Sequence, residues 1–405
     1  MASFLTITEQ ASLNNIRAAA PNYMQGYSDL TKRNHLLLAM MDQIGNIEYG
    51  ASEVARIWQV KVRNPTVSVF ANTTNKTFLD SQVFEQMQVG IRGYEASDLL
   101  KELDWKKNRT SAGDHQLVNL YDFKMETLGR AMVEHVQNSI PKDGDAAANS
   151  NGYQGFESCL LPENTNTGSD ACTANDRVVV PNDTYGGIST QLGNLGGTWS
   201  SDIVAGNRMN IDQNVDNDWP YGVGDSQYDA LSPVLINYAS SNWAGGTTWA
   251  DNVEECVREM SAILRNKNGM GMGSTDIVML LAPNLYPQAE NYYSTRFRVN
   301  QPFTGGDQGF PVANSLYIDG TAVKQDYSIP ADIGYAIAPE AIEFFNLALM
   351  NQPSSEASMI DTFGPTWSES HAAFLMRVST HGNLRMSPRG LGKFATTAHY
   401  NAQGA

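Results

Sequence analysis

Apolar and polar residues alternate along the segment 54–94, and this pattern predicts a two-stranded β-ribbon. In the first arm Trp58 and Val60 alternate with Gln59 and Lys61. The apolar positions of the two arms share one face of the ribbon: Trp58, Val60, Val62, Val67, Val69, Met87, Val89 and Ile91. An isolated two-stranded hairpin is only marginally stable in water. This face therefore needs a surface to lie on, either its own domain or a neighbouring copy of the protein.

A long amphipathic helix is predicted over residues 115–140. Apolar side chains recur there at three- and four-residue spacing, among them Leu128, Met132 and Val136. Pro141 and the polar residues after it end the helix. At 1.5 Å per residue, such a helix is a rod about 38 Å long.

The first fifty residues predict an extended arm that carries two short helices. The first has its helical period around Leu13 and Ile16 and stops at Pro21, and the second runs from Leu30 to Ile44. Neither helix is long enough to form a domain of its own. We therefore expect both to dock elsewhere.

The middle of the chain predicts loops followed by a mixed helix and sheet unit. Residues 150–250 are rich in Gly, Asn, Asp and Thr, which indicates loop-heavy β structure. After them come a helix at 249–265, a buried strand at 276–282 and a further helix opened by Pro283. This order is typical of an α/β unit.

The last eighty residues predict two apolar strand arms, 335–349 and 372–386, separated by a polar excursion at 351–370. The alternation that places Phe374 and Met376 on one side fits a sheet with one face in solvent. We expect the excursion to protrude. A chain of 405 residues exceeds the size at which one core usually stops growing, so the expectation is an α+β fold with two or more lobes.

Composition excludes some classes of partner. The 27 basic and 43 acidic residues give a net charge of −16, which argues against a surface whose main affinity is for phosphate backbones. The apolar stretches are far shorter than the roughly 20 residues that span a bilayer. The start of the chain lacks the basic and then apolar order of a signal peptide. We expect a soluble, unexported protein with no membrane partner.

The cysteines do not predict a disulfide framework. There are three of them, Cys159, Cys172 and Cys256, and none lies in a CxxC pair. Reduced thiols are the main expectation, and a bridge between Cys159 and Cys172 is the alternative.

Several motifs suggest a chemical site but fail on their spacing. The glycine run at 269–274 follows a predicted helix and precedes a strand, whereas a phosphate loop needs the order strand, glycines, helix. The acidic run at 212–218 resembles a calcium loop, but Asn217 and Val223 stand where that loop requires Gly and Glu. A single structural Ca²⁺ there remains an alternative. No HExxH and no Gly-x-Ser-x-Gly sequence is present. We therefore predict no catalytic, cofactor or metal site, and a protein that is not an enzyme.

One stretch carries a resemblance to a known family. Residues 183–189 (DTYGGIS), followed ten residues later by Trp199, resemble a stretch seen in major capsid proteins of tailed bacteriophages. Further family-like stretches lie before and after it, in the order in which the family has them: 34–39 with Tyr49 and Gly50, 316–320 with Thr321, Ala322, Val323 and Asp326, 335–338, and 382–390. The order spans nearly the whole chain and coincides with the predicted ribbon and long helix.

The resemblance implies a tailed-phage major capsid fold with an N-terminal arm, an extended loop, a peripheral lobe and an axial lobe. Its expected divisions are the arm 1–53, the extended loop 54–94, the peripheral lobe 95–200 and 333–388 with a spine helix at 115–140, and the axial lobe 201–332 and 389–405. The excursion at 351–370 would meet its equivalents at threefold positions. The eight apolar ribbon positions would be covered by a neighbouring subunit.

The resemblance also implies the function and its partners. The expected function is a major capsid protein whose copies form the hexamers and pentamers of an icosahedral shell around the double-stranded DNA genome. The expected partners are a separate scaffolding protein, a portal, decoration proteins and the packaged DNA, enclosed without sequence-specific binding. The protein would reside in the virion capsid and assemble in the host cytoplasm. Two alternatives are an encapsulin-like compartment that holds cargo and an α/β enzyme with a dispersed site at 249–300.

Overall fold

The computed structural model describes residues 36–44, 47–51, 55–61, 84–104, 120–146, 151–162, 172, 174–175, 177–179, 181–190, 231–268, 277–296, 316–318, 321–347, 361–368 and 370–403. Several sequence predictions fall outside these residues. They are the first helix of the arm, the acidic run 212–218, the glycine run 269–274 and the ribbon positions Val62, Val67 and Val69.

The described part contains five helices and two main sheets. The helices are α1 (Leu36–Ile44), α2 (Leu120–Ser139), α3 (Trp249–Asn268), α4 (Tyr286–Arg296) and α5 (Thr397–Gln403). The strands are β1 (Ile47–Ala51), β2 (Ala55–Lys61), β3 (Phe84–Gly90), β4 (Arg92–Lys101), β5 (Val178–Val179), β6 (Thr184–Tyr185), β7 (Ile188–Ser189), β8 (Val234–Asn237), β9 (Val278–Leu281), β10 (Leu316–Ile318), β11 (Thr321–Gln325), β12 (Gly334–Ile337), β13 (Ile342–Leu347), β14 (Asp361–Ser368), β15 (Ala373–Met386) and β16 (Leu391–Ala395).

The long strand β15 organises a five-stranded sheet. Along one edge it pairs first with β14 and then with β13, which in turn pairs with β1. Along the other edge it pairs with β4, and that pairing ends where Gly382 meets Arg92. Met376 and Val378 are buried while Leu375 and Arg377 on the opposite face are exposed. The predicted sheet with one face in solvent is therefore confirmed.

The region predicted as a polar excursion contains a strand. Residues 351–360 lie outside the described part, but Asp361–Ser368 forms β14 and pairs antiparallel with β15. The pairing register shifts between Phe363 and Thr366, which accommodates Pro365 on an edge strand. The prediction that the whole of 351–370 protrudes is thus wrong for β14. Pro365 suggested a loop because a strand tolerates proline only at an edge or a bulge, and the sequence does not show that β14 provides both.

A second sheet has seven strands in the order β10-β11-β9-β12-β16-β8-β5. The helix α3 lies against it, with Val253, Val257 and Met260 buried. The predicted α/β unit is confirmed by α3, β9 and α4. The strand β12 belongs to this sheet, and the chain passes from this sheet to the five-stranded sheet at 338–341.

The helix α2 confirms the predicted long helix over 120–139. Its apolar positions Leu128, Met132 and Val136 are buried, and it packs against β4 and β15. The arm helix α1 docks on its C-terminal half, where the Leu38 N–H donates to Gln137 Oε1 at 3.1 Å. Gln137 Nε2 also donates to Asp326 Oδ2 at 3.1 Å. One buried amide therefore links the arm, the long helix and the turn after β11.

All three cysteines are buried, and none of them forms a disulfide in the structure. Within the described ranges, no helix combines the length and the apolar content needed to cross a membrane.

Candidate assembly site

The ribbon consists of β2 and β3, paired antiparallel from Ala55↔Gly90 to Lys61↔Phe84. Strand geometry turns alternate residues to opposite faces. Trp58 and Val60 lie on one face together with Met87, the register partner of Trp58. The predicted alternation is confirmed over these strands. Ile91 follows them at the joint with β4, where it is half-buried against the core.

The apolar face of the ribbon is turned toward the body of the same chain. Met87 and Val89 are each only 1% exposed, and Trp58 and Val60 pack against the core in part. The Arg385 guanidinium of β15 lies 5.4 Å from the Trp58 ring centroid, a cation–π distance. At Met87 and Val89 the covering expected from a neighbouring copy is therefore supplied by the chain itself.

Charged pairs reinforce the seat of this inner face on the five-stranded sheet. Arg56 Nη2 lies 2.6 Å from Glu48 Oε2 and 3.6 Å from Glu343 Oε1. Arg385 Nη1 lies 2.6 Å from Glu343 Oε2. Ribbon and sheet thus share a network of two arginines and two glutamates, which resists sliding better than a single exposed ion pair.

The outward face of the ribbon carries two large apolar side chains that the chain leaves uncovered. Ile57 is 50% exposed and Phe84 is 57% exposed. Gln59, Gln86 and Gln88 lie on the same face, and all three are exposed. The sequence prediction placed the contact with a neighbour on the inner face, because the apolar residues alternate there. Alternation gives no information about which face the chain itself covers. This outward face is the ribbon surface that a second molecule can contact.

A tight hairpin formed by β6 and β7 holds the base of the ribbon. Gly186 and Gly187 have φ of 61° and 87°, the two positive values that a type I′ hairpin turn requires. The Gln88 N–H of the ribbon donates to the Gly186 carbonyl at 3.0 Å. A Cβ at Gly186 would lie 3.1 Å from Met87 Cε, so glycine also permits this close approach.

Tyr185, in the same hairpin, occupies the free edge of β15. Beyond Gly382 no strand pairs with that edge in the described part. The Tyr185 hydroxyl donates to the Leu384 carbonyl at 2.8 Å and accepts from the Met386 N–H at 2.9 Å. The side chain is fully buried, and this burial raises the pKa of its hydroxyl. One oxygen therefore satisfies two backbone groups that a strand would otherwise pair with.

Two further side chains fix the joint where the ribbon leaves the sheet. Asn383 Nδ2 donates to the Gly90 carbonyl at 2.8 Å, and its Oδ1 accepts from the Gln154 N–H at 2.8 Å. Arg92 Nη1 donates to the Gly144 carbonyl at 2.5 Å, and its Nη2 contacts Asp145 Oδ1 at 2.5 Å. The orientation of the ribbon base is therefore determined by residues far apart in sequence.

Two of the stretches on which the family resemblance rests lie at this joint. The stretch 183–189 forms the hairpin that carries Tyr185, and 382–390 contains Asn383. The resemblance located the two segments. The roles of Tyr185, Asn383 and Arg92 depend on contacts with residues distant in sequence, which the resemblance does not show. Ile57 and Phe84 were missed because they lie outside the apolar alternation.

Asp183 closes this hairpin from a half-buried position. Its carbonyl accepts from the Thr190 N–H at 2.8 Å. Burial raises the pKa of the Asp183 carboxyl to about 7 from 3.8, and the charges of Asp143 and Asp145 add to the rise, while N–H donors from Thr184 and Leu161 oppose it. The folded state therefore binds more protons than the unfolded state between these values. This group makes the protein less stable as pH rises through that range.

The Asp183→Asn variant tests this sign. The amide stays neutral at both pH values. The unfolding free energy of the variant minus that of the parent should therefore be larger at about pH 7.5 than at about pH 5, by on the order of 2 kcal/mol. Urea unfolding followed by tryptophan fluorescence at both pH values measures the difference. An equal difference at the two pH values would show that Asp183 titrates normally.

No group of three or more His, Cys, Asp or Glu side chains in the described part is placed to hold a metal ion. The hydrogen bonds and the ion pair of the joint fix the orientation of the ribbon base.

Comparison with known proteins identifies the fold. No protein-family profile and no curated protein sequence matches the chain. Among solved structures, the chain is similar to the capsid asymmetric unit of cyanophage A-1(L), with 13% identity, 92% of this chain and 95% of that chain covered, and a TM-score of 0.57. It is also similar to the capsids of native and empty GTA particles computed with C5 symmetry. Their identities are 9% and 8%, with 92% of this chain and 95% and 100% of those chains covered, and TM-scores of 0.50. The likeness shows the fold, and the α+β capsid fold expected from the sequence is confirmed.

Proposed function

We propose that this chain, which has the fold of these capsid proteins, is the major capsid protein of a tailed phage. Its copies form the hexamers and pentamers of an icosahedral shell that encloses a double-stranded DNA genome. One observation carries the proposal. The ribbon is seated on its own sheet by one face, exposes Ile57 and Phe84 on the other, and continues into residues 62–83 between its two strands.

The ribbon supplies the kind of contact that closes rings of identical subunits. A patch on one copy that meets a different patch on the next makes a heterologous contact, and such contacts build rings or shells when the rotation closes. Because the ribbon's inner face is already occupied, its outward face is the part offered to a neighbour, and we propose the same role for residues 62–83 because they belong to the same extended loop. In this proposal 54–94 is the extended loop, α2 is the spine helix of the peripheral lobe, and the seven-stranded sheet forms most of the axial lobe.

Charge supports the same contact. Residues 57–83 contain three basic side chains and one acidic side chain, in a chain whose net charge is −16. A basic loop on an acidic subunit is attracted to the surface of the next copy. The net negative charge disfavours tight binding to phosphate backbones, and we propose that the DNA is enclosed without sequence-specific binding.

The remaining assignments follow from this role. A separate scaffolding protein, a portal and decoration proteins are the proposed partners, and the virion capsid, assembled in the host cytoplasm, is the proposed location. The structures of similar fold that support the proposal are capsids of a phage and of GTA particles, so the cargo compartment is not favoured. We infer a structural role without catalysis for the chain.

Electron microscopy of the purified protein tests the proposal. Negative-stain images, combined with sedimentation velocity, should show closed shells or ring-shaped capsomers in exchange with subunits. A protein that stays a compact monomer at every concentration and ionic strength would overturn the shell function. DNA inside particles recovered from infected cells separates a genome container from a cargo compartment.

A further inference from the structure

A buried cluster in the seven-stranded sheet brings together an amine, a carboxylate and a side-chain amide. Lys393 of β16 is 0% exposed. Its Nζ donates to Glu157 Oε2 at 2.7 Å and to Gln403 Oε1 at 2.7 Å. Gln403 Nε2 in turn donates to the same Glu157 Oε2 at 2.9 Å. Glu157 therefore contacts both nitrogens.

The cluster is enclosed by buried side chains. Tyr335 holds the other Glu157 oxygen, Oε1, through a hydrogen bond of 2.5 Å. Phe156 and Tyr400 are fully buried beside the cluster, and the Lys393 Nζ lies 5.6 Å from the Tyr400 ring centroid. Gln403 belongs to the last turn of α5 and is partly exposed.

The geometry is that of an amine held against an amide carbonyl. A carbonyl carbon lies about 1.2 Å from its oxygen, so the Lys393 Nζ is within about 4 Å of Gln403 Cδ. Enforced proximity of this kind replaces a slow bimolecular encounter by a local step. Burial lowers the pKa of Lys393, although the charge of Glu157 opposes the shift. Desolvation favours the free amine, and Glu157 Oε2, 2.7 Å from Nζ, is placed to accept the proton that the ammonium must lose.

We propose that Lys393 and Gln403 condense into an intrachain isopeptide bond, with Glu157 as the proton carrier. The Lys393 ammonium gives one proton to Glu157, and the free amine attacks Gln403 Cδ, which forms the Nζ–Cδ bond. Glu157 delivers that proton to Nε2 and takes a second proton from Nζ. The Cδ–Nε2 bond then breaks, ammonia leaves with the remaining proton as ammonium, and Glu157 is a carboxylate again. No oxidant, reductant or cofactor takes part.

The bond would join the C-terminal helix α5 covalently to β16. At present α5 is held by contacts such as the Asn237 Nδ2 donation to Thr397 Oγ1 at 2.8 Å. Release of ammonia into solvent draws the exchange toward the linked form. The linked helix can no longer detach from the sheet while the rest of the subunit stays folded.

Peptide mass spectrometry of the purified full chain tests this directly. Arg389 and Lys393 are the last two sites for trypsin. Unlinked protein gives a peptide that ends at Lys393 and a second one covering 394–405. Linked protein is not cut after Lys393 and gives a single peptide, 390–405, lighter by one ammonia. Chymotrypsin then cuts this peptide after Phe394 and Tyr400. The piece that contains Lys393 and the piece that contains Gln403 stay joined by the isopeptide bond.

Matched variants distinguish the bond from other losses of ammonia. Lys393→Arg keeps a cation beside Glu157 but cannot form the amide, and Gln403→Asn keeps the amide but withdraws it by one methylene. Glu157→Gln keeps both partners and removes the proton carrier. All three should show no linked peptide, while circular dichroism confirms that they fold.

Two results would overturn the inference. The first is a parent protein that, after several days of incubation in the folded state, still yields the separate unmodified peptides. The second is a Lys393→Arg variant whose 390–405 region loses ammonia to the same extent, because that loss would come from an asparagine such as Asn401.

Discussion

Replacing Ile57 and Phe84 together by Asp is expected to abolish shell assembly while the subunit stays folded. Both side chains are at least half exposed on the outward ribbon face, so neither supports the core of its own chain. In the proposed shell this face is covered, and a carboxylate buried there without a partner costs about 3 kcal/mol or more. That is about a hundredfold in the association constant of each contact. The measurement is particle yield by sedimentation velocity and negative-stain microscopy, with circular dichroism for the fold.

The conservative pair Ile57→Val and Phe84→Leu is the matched control, and it should assemble because the face stays apolar. Trp58→Asp should behave differently from both, since Trp58 packs on the core of its own chain and its loss lowers subunit stability. Normal shells from the double Asp variant would exclude the outward face as the assembly contact.

The Tyr185→Phe variant is expected to lose roughly 2–4 kcal/mol of unfolding free energy. The substitution removes one oxygen, which leaves the Leu384 carbonyl and the Met386 N–H buried without the partner they share. The ribbon base rests on the same hairpin through Gln88 and Gly186. Hydrogen exchange at Gln88 should therefore accelerate along with global destabilisation, as measured by mass spectrometry and denaturant unfolding.

Tyr317→Phe provides the control for this deletion. Tyr317 lies on β10 and is 63% exposed, so its hydroxyl can be replaced by water contacts at little cost. Its unfolding free energy should match the parent within about 0.5 kcal/mol. If the Tyr185 and Tyr317 variants lose the same small amount, the hydroxyl does not hold the edge of β15.

The elements with a strong local period could be predicted from the sequence. The ribbon strands, α2 and α3 each show one clear spacing over many residues, and the structure contains all of them. The strand β14 was missed because Pro365 suggests a loop, and only pairing with β15 makes its bulge acceptable. Likewise, β12 and β13 have the same apolar character, so their assignment to different sheets depends on partners distant in sequence.

The candidate site was predictable in part. Alternation located the ribbon but not the surface covered by each face, because coverage depends on the three-dimensional position of Gly186, Arg385 and Glu343. The stretch 183–189 carries a family resemblance in the sequence. Its contribution to holding the ribbon base depends on the position of Tyr185 at the edge of β15, which the sequence does not show. Side chains that satisfy distant backbone groups leave no periodic signal.

A cryo-electron microscopy map of the assembled particle tests the central claim most directly. The account predicts that Met87 and Val89 remain in the core of their own subunit, while Ile57, Phe84 and residues 62–83 rest on the next subunit. A particle in which the outward ribbon face stays in solvent, or in which Met87 and Val89 leave their own core to contact a neighbour, would contradict it.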